Sequence, residues 1–172
     1  MKLKIKYKML ADIPAPEIIE KGDWIDLRSA ETVDIPGPIV TRAKKDEQRH
    51  VVFDYYLLPL GIAMQLPKGF EAIVNPRSSM FIKYGCILSN SQGVIDNSYC
   101  GDNDEWKAAI IPMFSDIHIR ASERIVQFRI QLSQKASIWQ KLKWLFSNGI
   151  ELVEVDELGH PDRGGHGTTG VK

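Results

Sequence analysis

Short apolar runs of period two, separated by turn-forming residues, constrain the fold of this chain more than any other feature. Residues 2–10 alternate lysine with apolar side chains, and residues 69–74 and 150–155 repeat the alternation. A period of two puts successive side chains on opposite faces of a strand, so each run predicts a half-buried β-strand. Proline and glycine punctuate further β-rich runs between residues 51 and 67. The chain is therefore predicted to be all-β, as a sandwich or a jelly roll.

One segment departs from this rule and predicts a helix. Ser137 and Gln140 have the spacing of a capping box, in which each side chain bonds the other residue's backbone amide. The apolar residues that follow fall within an arc about 120° wide on a helical wheel, and they are Ile138, Trp139, Leu142, Leu145 and Phe146. We predict one short helix near 138–147, whose stripe docks on the sheet or on a neighbouring subunit. Trp144 points away from this stripe.

Length, charge and cysteine content narrow the class of protein. A chain of 172 residues suits a single domain, which we divide into a β body at 1–160 and a glycine-rich tail at 161–172 that is mobile without ligand. The formal net charge is zero, which argues against a nucleic-acid partner. Cys86 and Cys100 are too few for a disulfide framework, which favours the cytoplasm. No apolar run nears membrane-spanning length, so no membrane association is expected.

The stretch at residues 93–102 carries the first candidate for chemistry. Asp96 begins a turn cluster after a β-branched run, and Tyr99 starts the returning strand. This arrangement predicts a hairpin with a carboxylate at its tip and an aromatic ring close behind it. Taken in isolation, such a hairpin is more typical of an Asx-turn with a packed tyrosine. An aspartate with its ordinary pKa is nevertheless ionised at neutral pH and can accept a proton from water, which makes Asp96 a candidate general base.

Two other segments carry groups suited to binding phosphate. Arg77 can form charge-assisted hydrogen bonds with phosphate oxygens, and Ser78 and Ser79 add hydroxyl and amide donors. The tail is rich in glycine, whose amides can point at an anion, and it adds polar donors, namely Arg163, Gly165, His166, Thr168 and Thr169. It lacks the lysine and the following helix of a Walker loop, so an ATPase is a poor interpretation.

Five segments together resemble, in order, the five motifs of the trimeric dUTPase family. They are residues 22–30, 76–79, 93–102, 123–127 and 162–170. The resemblance implies a distorted jelly roll that hydrolyses dUTP to dUMP and pyrophosphate, through water attack on the α-phosphate. That activity supplies dUMP for thymidylate synthesis and keeps uracil out of DNA.

The resemblance also implies a role for each matching residue. Asp96 would activate the attacking water, Asp26 would orient Arg77, and Tyr99 would pack on the sugar and exclude a 2′-hydroxyl. Gln127 would reach the first phosphate. The uracil would be framed mainly by hairpin backbone, in a region that contains Asn90, Gly93 and Ile95.

The family's cofactor and assembly carry over as expectations. No set of His, Cys or acidic residues in the sequence has metal-ligand spacing, so Mg²⁺ is expected to arrive on the triphosphate with its waters and no protein metal site is predicted. The resemblance implies a homotrimer with active sites at the subunit interfaces, where each tail closes over a neighbour's site.

One position departs from the family pattern, so the sequence does not decide which aromatic ring covers the base. Most trimeric dUTPases have a tail phenylalanine that stacks on uracil, and this chain has His166 there. Either His166 stacks instead, or Trp106 supplies the ring from the body. The sequence after the hairpin resembles a bacterial and phage subgroup that lacks the tail phenylalanine, so we favour Trp106.

Two other functions remain as alternatives. A dCTP deaminase shares the fold and a similar Arg-Ser-Ser motif, although its hairpin usually carries tryptophan where Tyr99 stands. A regulator that binds a protein partner and uses nucleotide as a switch is the second alternative. The mixed-charge run at 42–50, an apparent insertion, and the helix at 138–147 would then be partner surfaces.

Overall fold

The computed structural model describes residues 1–41 and 50–165, and this part of the chain is built almost entirely of short strands. Its strands are β1 Leu3–Met9, β2 Ile25–Arg28, β3 Val33–Ile35, β4 Ile39–Val40, β5 Val51–Val52, β6 Tyr56–Pro59, β7 Ile62–Gln65, β8 Phe70–Pro76, β9 Cys86–Leu88, β10 Gly93–Ile95, β11 Lys107–Pro112, β12 Ile117–Ile119, β13 Arg124–Leu132 and β14 Ile150–Glu154. Its helices are α1 Met80–Tyr84 and α2 Ile138–Leu145. The all-β prediction is confirmed.

The strands of this described part form small sheets around a four-stranded one. The four-stranded sheet has the order β10-β8-β13-β2, and two three-stranded sheets have the orders β14-β1-β7 and β6-β11-β9. β1 and β14, both predicted from their alternation, pair in parallel with Leu3 opposite Ile150. Two-stranded pairs, β12-β3 and β4-β5, complete the set.

The inward faces of these strands form one apolar core. Leu3 and Ile5 are fully buried while the lysines between them face solvent, as the alternation predicts. Phe70 and Phe128 come from neighbouring strands of the four-stranded sheet and are also fully buried. The indole of Trp106 packs edge-on against Phe128, with ring centroids 5.2 Å apart. Burial of side chains this large dominates the stability of a domain of this size.

A second helix, α1, corrects the expectation of a single helix. It begins directly after the Arg-Ser-Ser segment, and Met80 anchors it in the core. Gly85 ends it in the left-handed conformation (φ 63°), and the Gly85 amide donates to the Phe81 carbonyl at 2.8 Å. Five residues are too few to show a helical period, so the sequence pattern could not reveal α1.

Helix α2 forms where the sequence predicts it but presents a different face to the body. The capping box between Ser137 and Gln140 is present. The ring that packs inward is Trp144, 5.4 Å from Phe70 between centroids, whereas the predicted stripe is largely exposed at Ile138, Trp139, Leu145 and Phe146. Docking of the stripe on the chain's own sheet is therefore wrong. The short connection 133–137 and the contact of Gln140 with Gly69 set the helix orientation. Docking on a neighbouring subunit stays a prediction.

The predicted insertion at 42–50 falls mostly on residues 42–49, which lie outside the described residues. Its flanks, β4 and β5, pair with each other, and the Thr41 amide donates to the His50 carbonyl at 3.0 Å. Both flanking strands are exposed. Neither α1 nor α2 is long and apolar enough to cross a membrane.

Candidate active site

Strand β10 and the loop that follows it, residues 93–102, border a cavity of about 270 Å³, which we call the hairpin cavity. The predicted turn is present, because the Tyr99 amide donates to the Asp96 carbonyl at 3.1 Å. The return strand predicted at Tyr99 is wrong, since the described chain runs as a loop from Asp96 to Trp106 and the next strand begins at Lys107. The lining of the cavity includes every predicted site residue of the hairpin region and of the described tail, namely Asn90, Gly93, Ile95, Asp96, Tyr99, Trp106, Arg163 and Gly165. Strand β10 forms one wall because it is the edge strand of its sheet, with Gly93 opposite Val74 and Ile95 opposite Ala72. The cavity therefore combines a strand edge with a few polar side chains, as small-molecule sites do.

Asp96 lies at the mouth of the hairpin cavity, about half exposed, and two neighbours hold its carboxylate. The Ser98 amide donates to Asp96 Oδ1 at 2.8 Å, and the Ser98 hydroxyl donates to the same oxygen. Arg163 Nη1 lies 2.5 Å from Asp96 Oδ2. Partial burial raises the pKa of Asp96, but the hydrogen bonds from Ser98 and Arg163 outweigh it and lower the pKa below its ordinary 3.8. Asp96 is therefore ionised at neutral pH.

Tyr99 lies between the body and the tail. Its hydroxyl donates to the Glu105 carbonyl at 2.9 Å, which fixes the ring against the cavity wall. Burial, followed by the charges of Asp104, Glu105 and Asp162, raises the pKa of Tyr99, so the phenol stays protonated. A Cβ on Gly165 would lie 3.1 Å from the Tyr99 hydroxyl, which shows how closely the tail crosses the ring.

The tail is docked as far as it is described. Asp162 accepts hydrogen bonds from the Asn103 amide and side chain, both at 2.8 Å. The amides of Arg163 and Gly164 donate to Asp104 at 3.0 Å. Residues 162–165 therefore lie on the loop after β10 of their own chain. That the tail is mobile without ligand, and that it closes over a neighbour's site, both stay predictions. The remaining predicted tail residues, His166, Thr168 and Thr169, lie outside the described range.

Trp106 lines the hairpin cavity from within the core and cannot serve as a lid. Its side chain is 0% exposed. Its amide donates to the Ile62 carbonyl at 2.9 Å and its carbonyl accepts from the Leu60 amide at 3.0 Å, and these bonds fix the backbone that points the ring at Phe128. The prediction that Trp106 stacks as a mobile lid is wrong for this reason. The alternative, His166, stays a prediction.

A second cluster, which we call the arginine cluster, forms where β8, β13 and β2 lie side by side. Asp26 forms an ion pair with Arg77, with 2.8 Å between Nε and Oδ1, and accepts a hydrogen bond from Arg124 Nη1 at 3.2 Å. Gln127 Nε2 donates to the Pro76 carbonyl at 3.3 Å, which places that side chain beside the same cluster. Ser78 and Ser79 are exposed where α1 begins. Asp26 thus holds Arg77, as the resemblance implies.

Sequence reasoning missed Arg124 as a partner of Asp26. Arg124 and Gln127 are an odd number of residues apart, which in a regular strand puts their side chains on opposite faces. The register of β13 against β2 shifts between Arg124 and Val126. Such a bulge turns the two side chains towards the same side. The sequence carries no signal for this shift.

Asp96 and the arginine cluster lie near opposite ends of β8. Asp96 follows Ile95, which pairs with Ala72 near the start of β8, whereas Arg77 follows the last residue of that strand. At about 3.3 Å per residue the two side chains start roughly 15–20 Å apart. One chain therefore does not bring Arg77 and Asp96 to the same phosphate.

Comparison of the sequence with known proteins identifies the family of this chain. The family model for dUTPase matches residues 42–142. The chain is 45% identical, over the full length of both proteins, to the SPbeta prophage-derived deoxyuridine 5′-triphosphate nucleotidohydrolase of Bacillus subtilis.

Solved dUTPase structures share the fold. The dUTPase of Streptococcus mutans is 22% identical, with a TM-score of 0.61 over 77% of this chain and 98% of that one. A mutant of the Staphylococcus bacteriophage 80alpha dUTPase is 16% identical, with a TM-score of 0.60 over 78% of this chain and 93% of that one. That phage protein is one of the phage dUTPases that control transfer of virulence genes. The predicted dUTPase-like jelly roll is confirmed, and this chain belongs to the dUTPase family.

Proposed function

We propose that this chain hydrolyses dUTP to dUMP and pyrophosphate, by attack of a water that Asp96 activates on the α-phosphate. The observation that carries the proposal is the ionised Asp96 at the mouth of the hairpin cavity, with Tyr99 in the wall and Arg163 opposite. A carboxylate in this position can orient water and accept its proton. Membership of the dUTPase family supports the same reaction.

Arg163 can exchange Asp96 for the phosphates of the substrate. Its guanidinium is paired with Asp96 in the structure. A bound triphosphate offers the guanidinium stronger anionic acceptors. When Arg163 turns to the phosphates, an Asp96 oxygen becomes available to the attacking water, while Ser98 continues to hold the other oxygen.

The walls of the hairpin cavity suit a deoxyuridine. The edge of β10 that faces the cavity presents backbone amides and carbonyls between Gly93 and Ile95, and Asn90 lies beside it. A fixed backbone frame that matches the carbonyl and imide edge of uracil rejects cytosine, whose donors and acceptors are rearranged. Tyr99, fixed by its bond to Glu105, packs on the sugar and leaves no room for a 2′-hydroxyl.

A homotrimer with sites at its interfaces would unite the two clusters. Arg77, with Asp26 behind it, lies too far from Asp96 of the same chain to hold the same nucleotide, so a second copy would bring its arginine cluster to the hairpin cavity. An exposed apolar patch on α1, which follows Arg77 in the chain, supports such a contact. Ile82 and Phe81 are 88% and 48% exposed, and the ring of Phe114, 72% exposed, lies 5.8 Å from that of Phe81. Light scattering at several concentrations tests the assembly, and a monomer that is fully active would contradict it.

Magnesium fits this arrangement as a companion of the substrate. Among residues 1–41 and 50–165 no cluster of three or more His, Cys, Asp or Glu could hold a metal. The phosphate oxygens and water would therefore supply its ligands, and the ion would neutralise charge on the triphosphate. The free thiols of Cys86 and Cys100 suit the reducing cytoplasm, where we place the enzyme.

A panel of nucleoside triphosphates tests the function directly. Purified protein with Mg²⁺ is incubated with dUTP, dCTP, dTTP or UTP, and both pyrophosphate and ammonia are measured. We expect pyrophosphate from dUTP and little from the others. Ammonia from dCTP would instead support the deaminase alternative, which the family match disfavours.

A protein partner remains a second function, supported by the exposed face of α2. Trp139 and Phe146 are 76% and 73% exposed, and large apolar groups in contiguous exposed patches mark interaction sites. A pull-down with and without a non-hydrolysable dUTP analogue tests this surface, with Trp139→Ser as the matched variant. If the same proteins are captured with and without the nucleotide, and by the Trp139→Ser variant, the result would argue against a nucleotide switch at α2.

Deletion of residues 161–172 is expected to remove most activity and to leave the fold intact. The deletion takes away Arg163, whose charge-assisted contacts are worth about 1.5–3 kcal/mol, or roughly 10- to 100-fold in kcat/KM. The segment buries little apolar surface, and water can replace its amides at Asp104, so the melting temperature should barely change. Truncation after Gly165 is the matched control, because it keeps the docked part. A large fall in melting temperature for the longer deletion would show a structural role instead.

A further inference from the structure

Asp104 is a buried carboxylate that the proposed reaction does not use. Its side chain is 1% exposed, and its oxygens accept from the amides of Gly101 at 2.8 Å, Arg163 at 3.0 Å and Gly164 at 3.0 Å. No ion pair among the described residues includes it. A buried carboxylate needs compensation, and backbone amides are what supply it here. Asp104 therefore ties the loop between β10 and β11 to two successive residues of the tail.

Arg163 is held at both ends by this arrangement. Asp104 accepts from its backbone amide, and Asp96 pairs with its guanidinium across the mouth of the hairpin cavity. The tail lies directly on the loop between β10 and β11 at this point, because a Cβ on Gly101 would come within 2.4 Å of Asp162 Cα. The position of the Arg163 side chain thus depends on a backbone anchor at Asp104.

We propose that Asp104 is a positioning residue for hydrolysis, which docks the tail so that Arg163 reaches the reacting phosphates at Asp96. The role of Asp104 in hydrolysis rests on the proposed function, whereas the docking of the tail by Asp104 does not. Asp102 offers a matched comparison in the same loop. It accepts from the amides of Leu158 and Gly159, upstream of Arg163, and pairs with Lys8.

Asp104→Asn tests the kinetic role. The amide keeps one acceptor oxygen and turns the other into a donor. Because the Arg163 amide donates to both Asp104 oxygens, at 3.1 and 3.0 Å, the new donor faces that amide whichever way the side chain turns. We expect kcat/KM for dUTP to fall about 10- to 100-fold, as for the loss of one charge-assisted contact. Asp102→Asn should keep kcat/KM close to the value of the parent, even if it lowers the melting temperature as much as Asp104→Asn does.

A double-mutant cycle separates positioning from general destabilisation. If Asp104 acts through Arg163, then Asp104→Asn should cost little more once Arg163→Ala is present. Fully additive losses in the cycle would overturn the proposal. So would a folded Asp104→Asn protein with the kcat/KM of the parent.

Trypsin gives a readout that does not depend on activity. Trypsin cleaves after arginine, and Asp104 binds the amides on both sides of the bond between Arg163 and Gly164. In the absence of nucleotide, mass spectrometry should show faster release of residues 164–172 from Asp104→Asn than from the parent. An unchanged cleavage rate would overturn the docking, and this holds even if the parent releases no pyrophosphate from dUTP.

Gly101→Ala decides the question if Asp104→Asn does not fold. The new Cβ would lie 2.4 Å from Asp162 Cα and so displaces Asp162, but the substitution removes neither the Asp96 nor the Asp104 carboxylate. We expect faster tryptic release of 164–172 and a lower kcat/KM, with a melting temperature near that of the parent. A folded Gly101→Ala protein that matches the parent in both measurements would refute the positioning role.

Discussion

Asp96→Asn is expected to lower the turnover of dUTP by about 10²- to 10⁴-fold, which is the usual contribution of a general base. The amide preserves the shape of the side chain and can still accept from the Ser98 amide, but it cannot take a proton from water. Affinity for a non-hydrolysable dUTP analogue should therefore stay near the parent value. Single-turnover kinetics and isothermal titration calorimetry measure the two quantities separately.

Ser98→Ala is the matched control for this prediction. It removes the hydroxyl that bonds Asp96 and keeps the backbone amide bond. Because these hydrogen bonds lower the pKa of Asp96, the variant should raise that pKa towards its ordinary 3.8, which a carboxyl NMR titration detects. Asp96 would still be ionised at neutral pH, so turnover should stay far above that of Asp96→Asn. If Asp96→Asn hydrolyses dUTP near the parent rate, another group is the base.

Local sequence patterns predicted the parts of the fold that local physics determines. The alternation at residues 2–10 sets which side chains of β1 are buried, whatever its partner strand. The capping box at Ser137 starts α2 because both bonds lie within four residues. The turn at Asp96 forms for the same kind of reason, whereas the return strand predicted at Tyr99 does not form. The resemblance brought together residues of the hairpin cavity that no local pattern links.

The features that were not predicted depend on tertiary contacts. The face that α2 turns to the body is set by Phe70 and Gly69, which lie far away in sequence. The bulge in β13 that aligns Arg124 with Asp26 exists only in the pairing with β2. The docked tail depends on Asp104, which in the sequence is one acid in a polar loop. No period or spacing encodes these contacts.

Trp106→Ala is expected to lower the free energy of unfolding by about 3–5 kcal/mol, the usual cost of removing a large aromatic side chain from a core. The ring is 0% exposed and packs edge-on against Phe128. Because small domains are stable by only about 5–15 kcal/mol, the variant should unfold at much lower denaturant concentration. Urea unfolding followed by circular dichroism measures the change. Trp139→Ala, whose ring is 76% exposed, is the matched control, and it should shift stability by no more than about 0.5 kcal/mol.

Trp106→Phe distinguishes a core residue from a base-stacking lid. Phenylalanine keeps an aromatic edge for Phe128 and removes the indole Nε1, a buried donor with no hydrogen-bond partner in the described structure. It should therefore cost less stability than Trp106→Ala, since part of the loss from the smaller ring is offset by removal of an unsatisfied group. Stacking on a base is worth about 1–3 kcal/mol, so a true lid would lose nucleotide affinity on truncation and keep its stability. If Trp106→Ala keeps the stability of the parent and binds the analogue more weakly, the result would contradict the burial of this ring. Trp106 would then be the ring that stacks on the base.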